Sequence, residues 1–361
     1  MQRRDFFKQA GGASLTLGAS TLGIETAQVD PLYKWKMVTT WPKNFPGRGT
    51  GANRLAALIG ELSGGRIRVK VYGAGELVPA FEVFDAVAQG TAEMGHGSAV
   101  FWKGKSETVQ FFSAVPFGMT AQEQNGWLYH GGGLELWTEL YAGFGLIPAP
   151  AGNTGVQMDG WFNKEIRSLA NLAGLKMRIP GLGGEALKRA GGTPVTLPGG
   201  ELFVFLQSGA IDATEWAGPY NDLAFGLHKA AIYYYYPGFH EPGSTLEHII
   251  NRAVFEALPA DLQSIVLNAC RVVNQDILAD YTARNPVALK VLLDKHGVDM
   301  RPYPDDVLVK LHRLAKEVIS ELAEKDAFSR KVYASYQQFF QQSKTWSNSS
   351  ELAYLRARNL G

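Results

Sequence analysis

A chain of 361 residues is long enough for about two domains of ordinary size. Its 46% apolar and 19% charged residues lie in the globular range and exclude disorder throughout. Lys+Arg exceed Asp+Glu by only +1, which excludes the basic surplus that a phosphate backbone demands, and one cysteine, Cys270, excludes an internal disulfide, a Cys-based zinc or iron–sulfur site and a haem attachment motif.

Residues 1–27 read as an address. Arg3-Arg4 precede Phe6-Phe7-Lys8 and then an uncharged run from Gln9 to Ile24. Those 16 residues are short of the roughly 20 that span a bilayer as a helix. The segment resembles a twin-arginine export signal, with Gln2 and Phe7 departing from its usual pattern. Its removal leaves equal numbers of bases and acids. The expected product is a soluble protein exported to the periplasm.

Tyr33–Thr40 alternates as a first strand, and Pro42–Gly51 is a Gly/Pro loop. Leu55, Leu58, Ile59 and Leu62 put one apolar face on a helix over Ala52–Leu62. A strand follows at Ile67–Tyr72, a helix at Phe81–Gln89 stopped by Gly90, and a buried strand at Ala92–Gly97. This strand–helix alternation predicts an α/β unit with a largely parallel sheet. The pattern restarts after Gly145. Strands are expected at Thr154–Phe162, Leu175–Ile179, Val195–Leu197 and Ala213–Trp216, with helices at Gly184–Arg189 and Glu201–Ser208. Ala230–Tyr236 and Thr245–Asn251 add strands, the four tyrosines Tyr233–Tyr236 reading as one covered on both faces. Long helices are expected over Leu262–Lys295 and Val307–Ser343. The predicted division is lobe I over 33–145, lobe II with hinge strands over 146–258, helices packing on both lobes over 259–330, and a C-terminal extension over 331–361. A cleft between two α/β lobes suits a small ligand.

Two enzyme motifs are testable. Gly181-Leu-Gly183-Gly184-Glu-Ala186 fits a dinucleotide fingerprint, with Glu201 placed as a ribose-binding acid. Pro180 at the strand–turn junction and the early stop at Gly191-Gly192 count against it. His96-Gly97-Ser98-Ala99-Val100 lacks the flanking glycines of a serine elbow. What remains is a polar minority in apolar segments. Arg178 ends an apolar strand before a Gly-rich turn, and its planar fork matches either a solute carboxylate or a neighbouring acid. Glu215 and Glu241 lie near chain turns, and Gln157 falls inside the expected strand over 154–162. Two acids and an amide, if they meet, suit a hard cation or a shared proton.

From about residue 33 to 330 the chain resembles a TRAP-transporter solute-binding protein. The resemblance rests on four segments in order: Phe84–Gly95, Gly174–Gly181, Pro194–Pro198 with Glu201, and Leu206–Trp216. Ala213 stands where the family usually has Gly. Val156-Gln157-Met158, Glu215-Trp216 and His240-Glu241 further resemble the subgroup that binds 2-oxo and 2-hydroxy monocarboxylates with a metal ion. The resemblance implies a two-lobed α/β periplasmic binding-protein fold with crossing hinge strands and long C-terminal helices. It implies that Arg178 and Gln157 grip the solute, and that Gln157, Glu215, the Trp216 carbonyl and Glu241 hold Na⁺ or Ca²⁺. Trp216, Phe101 and Trp102 are the expected apolar walls. Counting Arg178 and the two acids alone, a bound monocarboxylate with Na⁺ leaves the site near −1 and with Ca²⁺ near zero. With no second strand-end arginine in a matching motif, a monocarboxylate is favoured over a C4-dicarboxylate. The expected partners are a membrane permease and, through an amphipathic helix at Glu351–Asn359 capped by Ser349 or Ser350, a second copy of the chain. An exported NAD(P)-dependent oxidoreductase is the alternative of a different class.

Overall fold

The computed structural model describes residues 32–360. The export signal expected over 1–27 lies outside the described residues. In chain order the elements are β1 (Tyr33–Thr39), α1 (Arg48–Leu62), β2 (Ile67–Tyr72), α2 (Val83–Ala88), β3 (Met94–Gly97), α3 (Ala121–His130), α4 (Gly133–Ala142), β4 (Leu146–Asn153) and β5 (Gly160–Phe162). Then come β6 (Lys176–Arg178), α5 (Gly181–Arg189), β7 (Thr193–Val195), α6 (Leu202–Gln207), β8 (Ala213–Thr214), α7 (Pro219–Phe225), β9 (Tyr233–Tyr236) and β10 (Thr245–Asn251). The C-terminal part carries α8 (Arg252–Glu256), α9 (Ala260–His296), β11 (Asp299–Pro302), α10 (Asp305–Glu324), α11 (Ala327–Ser349) and α12 (Glu351–Ala357).

The strands form two sheets. The first has the order β2-β1-β3-β10-β4, and the second β11-β9-β5-β8-β6-β7. β1 is parallel to β2 and β3, whereas β10 runs antiparallel to both β3 and β4. The chain crosses from the first sheet to the second between β4 and β5, and returns between β9 and β10. The two crossing segments run side by side. Thr154 N donates to Ser244 O (3.1 Å), Gln157 N to Glu241 O (3.3 Å) and Gly238 N to Gln157 O (2.9 Å). The approach at Gly238 is so close that a Cβ there would lie 2.5 Å from the Gln157 carbonyl oxygen, so only glycine fits. α9, 37 residues and so about 55 Å long, is the third connection, returning the chain to β11 in the second sheet.

Several boundaries differ from the sequence reading for identifiable reasons. β4 was not among the expected strands and carries Pro148 and Pro150. The prolines are tolerated because β4 is the sheet edge, where a missing N–H breaks no second ladder. The strand expected over 154–162 shrinks to Gly160–Phe162, and Gln157 sits in the crossing segment, not in a strand. The helix expected over 307–343 is two helices, because Asp326 breaks it and caps α11 by accepting from Ser329 N. α11 runs on to Ser349, and Ser350 Oγ donates to Trp346 O (2.8 Å) instead of capping the last helix. In α10, Val307, Leu311, Leu314, Val318 and Leu322 recur at helical spacing and are all buried. Tyr234 and Tyr235 are buried in the interior strand β9, as the four-tyrosine run implied. Among the described residues no helix is long and apolar enough to cross a membrane.

Glu247 is a buried acid in the core of the first sheet. It accepts from Trp102 Nε1 and from the Tyr141 hydroxyl (2.8 Å). Burial outweighs both hydrogen bonds and pushes its carboxyl up from 4.5 to about 7. Between those values the folded chain holds a proton that the unfolded chain has lost, so this group lowers stability as pH rises. His96 and His248, held neutral by burial down to about 4 and about 3, act in the opposite sense below pH 6.5. Glu247→Gln retains the histidine effect and loses the carboxyl one. Its stability relative to the parent should therefore grow by about 2–3 kcal/mol between pH 5 and pH 8. Urea unfolding at the two pH values measures this, and an unchanged difference would refute it.

Candidate functional site

The two crossing segments and the ends of β6 and β8 deliver one buried polar cluster. β6 and β8 are parallel with Arg178 opposite Thr214, which sets Glu215 beside the Arg178 guanidinium. Arg178 Nη1 donates to the Glu215 carboxylate, and Nε to Leu197 O at 3.2 Å. Both side chains are buried, 2% and 1% exposed. The other Glu215 oxygen faces His240 Nε2 at 3.3 Å, and His240 Nδ1 faces Asp159 at 3.3 Å. The Tyr303 hydroxyl donates to the second Asp159 oxygen. Burial alone would drive the imidazole down. Hydrogen bonds to Asp159 and Glu215 outweigh it and push His240 up to about 10, so it is a cation at neutral pH. The Glu215 carboxyl is raised by burial but lowered further by Arg178 and His240, and it stays ionised.

Glu241 differs from Glu215. Burial and then the neighbouring Glu215 charge raise its carboxyl above the usual range. Gln157 Nε2 donates to Glu241 Oε2 (2.7 Å) and to Thr154 Oγ1 (3.0 Å). Gln157 Oε1 is buried without a hydrogen-bond partner. An unpartnered amide oxygen, a carboxylate disfavoured by its neighbour and a second carboxylate together fit a hard cation, which would relieve all three. Among the described residues no group of three or more His, Cys, Asp or Glu could hold a metal. The candidate is therefore an oxygen set completed by an amide and a carbonyl.

Arg48, Ser98, Val100, Phe101, Arg178, Pro180, Glu215, Trp216, Glu241 and Ser244 line a chamber with about 10 Å³ of free space, room for about one water. A site this tight suits a small solute and not a large one. The Trp216 ring lies between two guanidinium groups, 4.3 Å from Arg48 and 5.0 Å from Arg178. Phe101 lines the chamber as expected. Trp102 does not: its indole nitrogen is bound to Glu247 and its ring packs on Phe84 in the core of the first sheet. The adjacent residues point apart, and only Phe101 remains a wall.

Sequence reasoning assigned no role to four members, of which only His240 was named at all. Arg48 was passed over as part of a Gly/Pro loop, although it is the loop's one arginine; it opens a helix, so the search for a second strand-end arginine did not reach it. Asp159, His240 and Tyr303 are 63 or more residues apart at their extremes and meet only through the hinge and β11. The dinucleotide-like turn is the first turn of α5. Its Gly181, at φ +66, abuts Val100, whose Cγ2 would be 2.3 Å from an added Cβ. This glycine is required by packing between the lobes, and the turn is covered.

A family model described as bacterial extracellular solute-binding protein, family 7, matches residues 37–326. A monocarboxylate 2-oxoacid-binding periplasmic protein from Nostoc sp. is 42% identical over 98% of both chains. A TRAP periplasmic solute-binding protein from Pseudoalteromonas atlantica, solved with bound sodium and pyruvate, is 40% identical, with a TM-score of 0.87 over 90% of this chain and 98% of that one. A TRAP solute-binding protein from Bordetella bronchiseptica, a mixed-occupancy dimer with copurified calcium and picolinate, is 35% identical, with a TM-score of 0.89 over 91% and 98%. The chain belongs to bacterial extracellular solute-binding protein family 7, the periplasmic solute-binding proteins of TRAP transport.

Proposed function

We propose that this protein captures a small 2-oxo or 2-hydroxy monocarboxylate, of pyruvate or lactate type, together with a cation, and delivers it to a TRAP membrane permease without catalysing a reaction. The observation that carries the reading is the unpartnered Gln157 Oε1, whose own amide nitrogen is bound to Glu241, a carboxylate that lines one chamber with Glu215 and Arg178. Arg178 keeps Nη2 for the solute carboxylate, its Nη1 being held by Glu215 and its Nε by Leu197 O. Gln157, Glu215, the Trp216 carbonyl and Glu241 would hold Na⁺ or Ca²⁺, which supplies a Lewis-acid contact to a carboxylate oxygen and the 2-oxo or hydroxyl oxygen. His240 keeps Glu215 oriented and ionised for that role. Trp216 and Phe101 cover the short tail and exclude water.

The buried charges support a monocarboxylate. Arg48, Arg178 and His240 face Asp159, Glu215 and Glu241, three against three. A monocarboxylate with Na⁺ then leaves the site neutral, and with Ca²⁺ near +1. Both are one unit above the count made from Arg178, Glu215 and Glu241 alone. Arg48 is the one feature that would favour a dicarboxylate, but it is stacked between Trp41 and Trp216, and the chamber is small.

A thermal-shift screen with pyruvate, 2-oxobutyrate, lactate, succinate and NAD, with chelator and with Na⁺ or Ca²⁺, tests this reading. A solute at 100 times its dissociation constant should add about 2.7 kcal/mol, a shift of a few degrees. A monocarboxylate shift that needs a cation is the expected result. A shift with NAD alone, or with succinate alone, would overturn it.

We further propose twin-arginine export and a homodimer built through the C-terminal helix. No residue of α12 is buried, and Trp346, Tyr354 and Leu360 are 71%, 66% and 86% exposed. Exposed apolar side chains on a terminal helix are stabilised by a second surface. Deleting residues 345–361 should yield a monomer by sizing with light scattering, and an unchanged dimer would sink the assignment.

A further inference from the structure

The chamber receives its charged groups unequally from the two lobes. Arg178, Glu215 and Trp216 come from the second sheet, and Glu241 and Gln157 from the crossing segments. Among the described residues lining it, the first-sheet lobe contributes one charged side chain, Arg48, the first residue of α1.

Arg48 is 4% exposed and reaches across the cleft. Its guanidinium carbon lies 4.9 Å from the Trp41 ring on its own side and 4.3 Å from the Trp216 ring opposite. Nη2 donates to the Trp216 carbonyl at a long 3.4 Å. Nε is buried with no partner. The Tyr281 hydroxyl beside it donates to Asn221 Oδ1 at 2.6 Å and keeps its lone pairs for the guanidinium. The Nε–H still has no acceptor, and an anion in the chamber is the group that supplies one.

Resting on the carboxylate reading above, we propose that Arg48 is a second solute-binding residue. It donates its Nε–H to an oxygen of the bound 2-oxo or 2-hydroxy acid, so that the solute bridges Arg48 of the first-sheet lobe and Arg178 of the second. Closure then depends on the solute, because the anion links two cations that otherwise repel. The Trp41 and Trp216 faces hold the guanidinium plane and leave its edge for the solute.

The test is isothermal titration with pyruvate, in Na⁺ and in Ca²⁺, of the full mature chain and three variants. Arg48→Gln should bind about 100-fold more weakly, and Arg48→Lys, which keeps the charge but loses the Nε–H and the stacked plane, about 10-fold more weakly. Arg48→Ala should regain affinity when free guanidinium is added, which a residue that merely props the lobes apart or together would not show. Ligand-free melting curves monitor the fold, and Arg48→Lys retains the buried charge should Arg48→Gln melt early. Affinity within threefold of the parent in Arg48→Gln or Arg48→Lys would overturn the inference. Arg178→Gln run alongside separates the two readings. If it loses binding while the Arg48 variants keep theirs, only the Arg48 assignment falls. If it too binds as the parent does, the carboxylate reading itself falls.

Discussion

Arg178→Ala should abolish measurable binding of pyruvate while the chain still folds. The guanidinium is buried beside Glu215, and the solute carboxylate would enter the same low-dielectric chamber. Removing one member of such a buried, hydrogen-bonded charge set costs about 3–5 kcal/mol, which is roughly 10²–10⁴ in affinity. Glu215 keeps His240 as its second partner, so the ligand-free fold loses stability without collapsing. Arg178→Lys should be nearly as poor, because an ammonium lacks the planar fork that holds Glu215, Leu197 O and the solute carboxylate at once. Titration calorimetry and a ligand-free melt measure both effects, and retained pyruvate affinity would remove Arg178 from the site.

The second large effect is expected at His240, which is not among the residues lining the chamber. Its imidazolium stands between Asp159 and Glu215, each 3.3 Å away. His240→Ala leaves two carboxylates buried without the cation between them, a loss of about 3–5 kcal/mol. At about 2–4 °C per kcal/mol for a chain of this size class, the melting temperature should fall by roughly 10 °C. Cation-dependent solute binding should weaken as well, because Glu215 loses the bond that orients its second oxygen. A variant that melts within 2 °C of the parent, a loss of at most about 1 kcal/mol, would show that the bridge contributes little.

Much of the architecture was legible because its signals are local. Alternation in Ile67–Tyr72, the apolar face of α1, and glycines closing short helices act within one turn or one strand. The four family-like segments run through α2 and β3, β6, β7, and the end of α6 with β8, together with the turns around them, and they carry Arg178, Glu215 and Trp216 into place. Gln157, Arg178, Glu215, Trp216 and Glu241 were all named from the sequence, and the fold brings them within one hinge-side cluster. Phe101 and Trp102 show the limit. Neighbouring aromatic residues look alike in a sequence, and only the turn after β3 decides that one faces the chamber and the other donates to Glu247.

What the sequence by itself determined was the class of protein, the alternation of strands and helices in an α/β fold and the names of the second-sheet residues that meet at the hinge. These follow from periodicity, turn chemistry and short motifs, which need no knowledge of distant partners. The tertiary structure alone decided the charge balance of the site and the lobe that answers Arg178. Arg48 is 130 residues before Arg178, and Tyr303 is 144 after Asp159, so no local pattern links them. They meet because two crossing segments and a 37-residue helix fold both sheets onto one hinge, where burial makes every unpaired charge costly and so selects its partner.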